Sequence, residues 1–169
     1  RKLKANEDQL RTELKSYAGK ASITPDGREV WLEANIGVIE DLPVVKKNDA
    51  EGVGLFRTEF LFMNRKEAPS EAEQFQFYQT VLSEMNPKSV VIRTLDIGGD
   101  KDVDYLKIGH ELNPFLGFRA VRYCLHHKAI LKTQLRAMLR ASVFGHLEIM
   151  FPLITTLEEL LEAKKLLEE

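Results

Sequence analysis

A chain of 169 residues that is 44% apolar and 30% charged can bury one sizeable core, so length alone predicts a single globular domain with room for a small appendage. A formal charge of -2, with acids and bases interspersed, excludes the basic field that drives nucleic-acid binding and leaves no charged tail or patch. The single cysteine excludes an internal disulfide framework, and the absence of a leader-type apolar region or of a run of about eighteen apolar residues predicts a cytoplasmic protein without membrane insertion.

The first stretch, "RKLKANEDQLRTELKSYAG", places Leu3, Leu10, Leu14 and Tyr17 at helical spacing on an otherwise polar surface, with Gly19 as a helix stop. So narrow a seam docks against a neighbour and cannot make a core. Residues 1–20 are therefore expected to be a helical interdomain linker whose other domain lies upstream of Arg1, and residues 21–169 the domain proper. "TPDG" at 24–27 predicts a turn between two short extended pieces.

From residue 30 the pattern is regular. "VWLEANIG" (30–37), "GVGLFRTEFLF" (52–62), "SVVIRTLDIGG" (89–99) and "HLEIMFPLI" (146–154) are apolar, partly β-branched runs of strand length. Helical patterns separate the later ones. "PSEAEQFQFYQTVLSEM" opens on Pro69 and Ser70, with Glu73 as capping-box partner and Phe75, Tyr78 and Leu82 on one face. "NPFLGFRAVRYCL" predicts a helix with an Asn-Pro start, "HKAILKTQLRAMLRASVFG" one that ends at Gly145, and "TTLEELLEAKKLLEE" one capped by Thr155 or Thr156. Alternating strands and helices predict an α/β fold with a parallel sheet. Two architectures satisfy the pattern: an open doubly wound sheet, or about half of a (β/α)8 barrel, since a whole barrel needs about 250 residues.

Two successive strands are expected to end alike, "GLFRTEF" with Arg57-Thr58 and "VVIRTLD" with Arg93-Thr94. In a parallel sheet both dipeptides fall at the carboxyl ends of strands, where barrels and open sheets place their ligands. Guanidinium groups present forked donors that suit carboxylate and phosphate. "DIGGDK" adds Gly98 and Gly99, whose backbone can approach a ligand, Lys101 as a point charge for a phosphate oxygen, and Asp96 to orient Arg93 or a water. The residues leave two readings open: a site for a small, multiply charged anion, or arginines that close structural ion pairs with Glu59 or Asp96.

Taken together, "ANIG" (34–37), "AEGVGLFRTEFLFMNR" (50–65), "VIRTLDIGGDK" (91–101), "NPFLGFRAVR" (113–122), "LRAMLRAS" (135–142) and "IMFPLI" (149–154) resemble the phosphoenolpyruvate-binding domain of the enzyme I family, the phosphotransferases of the bacterial sugar phosphotransferase system. The likeness runs from about residue 20 to the end of the chain. Pyruvate phosphate dikinase and phosphoenolpyruvate synthase share the fold and both arginines, but "IRTLDIGGDK" is similar to enzyme I and not to them.

The resemblance implies a TIM barrel that binds phosphoenolpyruvate (PEP) and Mg²⁺ at its C-terminal face, in a homodimer. A histidine on a separate N-terminal domain takes the phosphoryl group and passes it to the carrier protein HPr, driving sugar uptake. It matches Arg57 and Arg93 to the substrate-binding arginines, and Lys101 and Asp96, with Gly98 and Gly99, to nearby contacts or supports. The family's metal ligands and its proton-donating cysteine would fall beyond Glu169 and its phosphorylated histidine before Arg1. The chain would then hold the first four or so βα units, neither a catalytic residue nor a metal ligand, and no turnover of its own. Two rival readings are a PEP-utilising barrel enzyme of the dikinase or synthase type and a non-catalytic α/β binding module.

Other conspicuous residues carry plainer expectations. Cys124 is read as a small packed thiol, and His110, His126, His127 and His146 as loop or edge residues without ligand spacing. Arg119, Arg122, Arg136 and Arg140 are read as helix-surface partners of glutamates, and Trp31, Phe75, Phe77 and Phe115 as core or interface.

Overall fold

The computed structural model describes the backbone of residues 2–98, 103–106 and 112–169, and their side chains except those of Lys2, Leu3, Ala5, Arg11 and Asp104. Each apolar run supplies one strand: β1 (Ala34–Ile36), β2 (Val53–Arg57), β3 (Ser89–Arg93) and β4 (His146–Met150). The four pair in parallel, in the order β1-β2-β3-β4. Among the described strands the chain thus advances one strand at each crossover and never reverses, so it has no switch point of the doubly wound kind. Right-handed crossovers of this sort deposit every helix on the same face.

Burial follows from that topology. Ile36, Val53, Phe56, Val90 and Ile92 point into the helices and are completely enclosed. The alternate residues lie on a face that no described helix covers: Asn35 and Glu148 are exposed, Met150 is 38% exposed, and Leu55, Arg57, Val91 and Arg93 are half-buried.

The helices are α1 (Lys2–Lys15), α2 (Leu42–Lys47), α3 (Glu71–Met85), α4 (Ala120–His126), α5 (Lys128–Ala141) and α6 (Leu157–Glu168). At the start of α3 the Ser70 hydroxyl accepts from the Glu73 N–H (3.2 Å) while the Glu73 carboxylate accepts from the Ser70 N–H (2.8 Å). Those two residues form the expected capping box, and the bonds from Ser70 lower the Glu73 carboxyl to about 2. Thr156 and Glu159 repeat the device on α6. Tyr78 and Leu82 of α3 face Leu131, Leu135 and Met138 of α5, all buried, and the Phe56 and Tyr78 rings meet edge-on at 6.2 Å.

Several expectations need correction. "VWLEANIG" is strand only from Ala34, because the residues before it are held by a local turn: the Val30 N–H donates to the Ser22 carbonyl (2.8 Å), and Ile23 bridges Glu29 around the "TPDG" turn. Trp31 is consequently 68% exposed, and Phe115 and Phe77 also reach solvent, so none of the three belongs to the core, whereas Phe75 packs against it. The helix predicted from Asn113-Pro114 starts at Ala120 instead. The Arg122 guanidinium donates to the carbonyls of Leu116 (2.6 Å) and Gly117 (2.8 Å), and the Ala120 N–H reaches the Ile97 carbonyl (3.3 Å). Residues 113–119 are thereby committed to the end of β3 rather than to a helical turn. The short α2 was not predicted, although Pro43 in its first turn was a visible signal. Leu10 and Leu14 of α1, and Tyr17 in the turn after it, are each more than half exposed; the helix ends at Lys15 rather than at Gly19, which lies in the following turn with φ +75° and donates its N–H to the Asp49 carboxylate (2.6 Å).

Candidate functional site

Arg57 and Arg93 are direct partners in the parallel ladder between β2 and β3, so both project from the uncovered face at the carboxyl ends of adjacent strands. Both strands stop there for local reasons. After Arg57 the backbone tightens into a 3-10 turn over Thr58–Leu61. After Arg93 the Thr94 N–H makes the last bond to β4, at the Met150 carbonyl (2.9 Å). Thr58 and Thr94 are completely buried beneath the two arginines.

The two guanidinium groups differ sharply in company. Arg93 donates from Nη2 to Glu59 Oε1 (2.8 Å), and its Nη1 lies 3.0 Å from Asp96 Oδ2. The other oxygen of Asp96 accepts from Arg119 at Nη2 (2.7 Å) and Nε (3.3 Å). Glu59, Asp96 and Arg119 are all buried, as charges can be only when they have partners. Signs alternate along Glu59, Arg93, Asp96 and Arg119, and the four formal charges cancel. Asp96 therefore orients Arg93, as one reading of the sequence has it. Arg119 is not the helix-surface residue expected, since it caps α4 from inside the site. Gly98 makes room for it: with φ +128°, a Cβ there would lie 2.5 Å from Arg119 Cβ.

Arg57 has no carboxylate partner among the described residues. Its guanidinium lies over the Phe60 ring, 5.1 Å from the centroid, a cation–π arrangement. Its Nε is buried with no hydrogen-bond partner, as is the Nε of Arg93. A buried donor without a partner requires an explanation, and two of them stand at neighbouring strand ends. Gly99 and Lys101, the other residues read from "DIGGDK", lie outside the described residues, as does His110.

The remaining residues fall as follows. Cys124 is buried, its thiol 3.8 Å from the Leu95 carbonyl, and burial first, then the nearby Asp96 charge, pushes it up to about 12. Arg122 pairs with Glu159 (3.0 Å), and Arg136 and Arg140 both pair with Glu71, matching the expected helix-surface role. His126, His127 and His146 are exposed. Sequence reasoning missed Phe60 and Gln134. Gln134 had a visible signal, because it interrupts the apolar stripe of Leu131, Leu135 and Met138 and is nonetheless fully buried.

The carboxylates nearest the arginines are already engaged, Glu59 by Arg93 and Asp96 by Arg93 and Arg119, so the described residues do not fit a Mg²⁺ shell at this point.

Comparison with known proteins agrees with this geometry. The family model described as "PEP-utilising enzyme, PEP-binding domain" matches residues 11–169. Among curated proteins, the chain is 56% identical over 157 residues to the phosphoenolpyruvate-protein phosphotransferase of Staphylococcus carnosus, covering 93% of this chain and 27% of that protein. It is 52% identical over 159 residues to the Bacillus subtilis protein of the same name (94% and 28%) and 51% identical over 169 residues to that of Mycoplasma pneumoniae (100% and 30%). The chain thus spans about three tenths of the length of these relatives. With nearly its whole length matched by the family model, and with paired arginines at the strand ends where ligands of parallel sheets lie, the chain belongs to the PEP-binding domain family of the PEP-utilising enzymes.

Proposed function

We propose that this chain forms the first part of the PEP site of a phosphoenolpyruvate-protein phosphotransferase of the enzyme I type, with Arg57 and Arg93 binding the substrate. The observation that carries the reading is the pair of buried, unpartnered Nε groups on ladder-paired arginines. Arg57, held over Phe60, supplies the uncompensated charge, and Arg93 is held in place by Glu59 and Asp96. Each guanidinium still offers donors to a carboxylate or phosphate oxygen, and the two together would stabilise charge on a phosphoryl group in transfer. Gly98 supports the site by admitting Arg119, while Gly99 and Lys101 are proposed as phosphate contacts from the sequence resemblance alone.

The same reading takes the sheet as about half of a (β/α)8 barrel. In support, the strands run in sequential order with helices on one face, and the other face carries Leu55, Val91 and Met150 uncovered, as the inside of a barrel would. Residues 1–20 would then be the interdomain linker. Later residues of the whole protein would supply the Mg²⁺ ligands, and the phosphoryl group would pass to a histidine of another domain and on to HPr. Strands β1 and β4 have unpaired edges among the described residues, which further strands or a second subunit of a homodimer would cover. No helix among the described residues is long and apolar enough to cross a membrane, and we place the protein in the cytoplasm.

Calorimetric titration of the full-length protein carrying this segment with PEP and Mg²⁺, wild type beside Arg57→Met, tests the site. Loss of a charge-assisted hydrogen bond predicts an affinity decrease of about tenfold or more. Unchanged affinity in a folded variant overturns the reading.

A further inference from the structure

The sheet ladder ends one residue too early for the job the two arginines share, and a glutamine from α5 completes it. In a regular parallel ladder with Arg57 opposite Arg93, the next residue on β2, Thr58, would donate its N–H to the Arg93 carbonyl and accept from the Leu95 N–H. Thr58 has instead turned into the 3-10 helix. At this point β3 meets side chains: the Arg93 carbonyl accepts from Thr58 Oγ1 (2.8 Å), and the Leu95 N–H, which a continued ladder would pair with the Thr58 carbonyl, donates to Gln134 Oε1 (2.8 Å). The Gln134 amide Nε2 then donates to Thr58 Oγ1 (3.1 Å), joining the two halves, and also to Tyr78 Oη (3.1 Å).

Proton directions in the network are single-valued. The Leu95 N–H requires an acceptor, which assigns Gln134 Oε1. The Thr58 hydroxyl proton is spent on the Arg93 carbonyl and that of Tyr78 on Gln74 Oε1 (3.1 Å), so both oxygens accept from Gln134. Gln134 is fully buried among leucines and a methionine, where an unbonded amide would be costly. Here both its protons and its oxygen are used.

We propose that Gln134 and Thr58 form a side-chain rung that continues the ladder past the point where the Thr58 carbonyl would have served Leu95, and that Gln134 is a positioning residue for the anion site. The rung holds β2 and β3 in register beyond Arg57 and Arg93 while the backbone after Arg57 turns away, which sets the spacing of the two guanidinium groups. This rests on the reading that those arginines bind PEP.

The test uses the full-length protein with PEP and Mg²⁺, following affinity, KM and kcat together with thermal stability. Gln134→Met keeps the shape and removes the rung, and Thr58→Val removes the hydroxyl. Each is expected to weaken PEP affinity on the order of tenfold, with kcat falling as well, because small misplacements of binding groups are costly. Thr58→Ser, which retains the hydroxyl, restores binding. Tyr78→Phe breaks the same network away from the strand ends and is expected to lower the melting temperature with affinity unchanged. If Gln134→Met does not fold, the Thr58→Val and Thr58→Ser pair decides. Wild-type affinity in folded Gln134→Met or Thr58→Val, or an equal loss in Tyr78→Phe, overturns the rung. Wild-type affinity in Arg57→Met overturns instead the reading on which it rests.

Discussion

The ends of β2 and β3 carry the same dipeptide, Arg-Thr, in the same register, and the molecule treats them in opposite ways. On the β3 side the arginine is clamped between two carboxylates, one of which is clamped in turn by a second arginine. On the β2 side the arginine meets an aromatic ring and, among the described residues, no carboxylate at all. A charge that is fully compensated contributes to the fold and to geometry, whereas one that is uncompensated raises the potential of the cleft and attracts an anion. Adjacent positions thus differ in how far their charge is compensated, although the sequence motif is identical.

That difference can be broken by substitution, and the largest effect is expected at Arg93. Arg93→Met removes the group shared by Glu59 and Asp96 and should cost about 3–5 kcal/mol in chemical denaturation, the range for breaking a buried ion pair. A loss below about 1 kcal/mol would mean that β3 is no more a scaffold than β2, since surface changes fall in that range.

Next comes Gly98→Ala, which sets a Cβ 2.5 Å from Arg119 Cβ at a positive φ, and about 2 kcal/mol is expected for overpacking of this kind. The matching change beside Arg57, Gly37→Ala, meets the edge of the Phe60 ring at 2.7 Å and Arg57 Nη2 at an ordinary 3.5 Å. Gly37 is buried, but Phe60 is 42% exposed and can swing outward, so the stability cost should stay at about 1 kcal/mol, below that at Gly98. Equal costs for the two alanines would erase the contrast.

Acid should act on the β3 side too, through α6. The Thr155 N–H, with Arg122 and the Thr155 hydroxyl, lowers the Glu159 carboxyl from its ordinary 4.5 to about 2. Because the folded value lies below the unfolded one, this contribution is complete above about pH 4.5 and is lost as pH falls toward about 2. Glu159 holds Arg122, which holds the Leu116 and Gly117 carbonyls just ahead of Arg119. Glu159→Gln should flatten the stability profile within that window, and Thr156→Ala should cost about 1 kcal/mol at neutral pH as a lost N-cap. The smallest stability effect belongs to Arg57→Met, within about 0.5 kcal/mol in denaturation, although the same change is expected to weaken PEP binding most directly.

How much of this was legible beforehand depended on the range of the interaction. Strand ends, the Ser70–Glu73 and Thr156–Glu159 caps and the stop at Gly145 are local patterns, and they stood in the sequence because capping and periodicity act within a few residues. The pairing of Arg57 with Arg93 followed from two matching motifs. Asp96, three residues from Arg93, and Glu59 were both visible as candidate partners, but the chain alone did not reveal that Glu59, 34 positions away, would choose Arg93 or that Arg119, 23 positions from Asp96, would join them. Residues 113–119 misled in part for the same reason: an Asn-Pro start is a sound local signal, overridden here by the distant Ile97 carbonyl together with the nearby Arg122 guanidinium. Gln134 showed only as a flaw in an apolar stripe, and its meaning depended on a threonine 76 positions away.

Cys124, the one cysteine of the sequence, sits beneath all of this with its thiol raised to about 12 by burial. At neutral pH it holds almost no thiolate while the fold is closed, and it contacts the Leu95 carbonyl, whose residue is also the terminus of the glutamine bridge. The molecule therefore contains its own clock: a thiol-specific reagent can mark Cys124 only as fast as α4 moves away from the Leu95 carbonyl, so the rate of labelling reports local opening beside the end of β3.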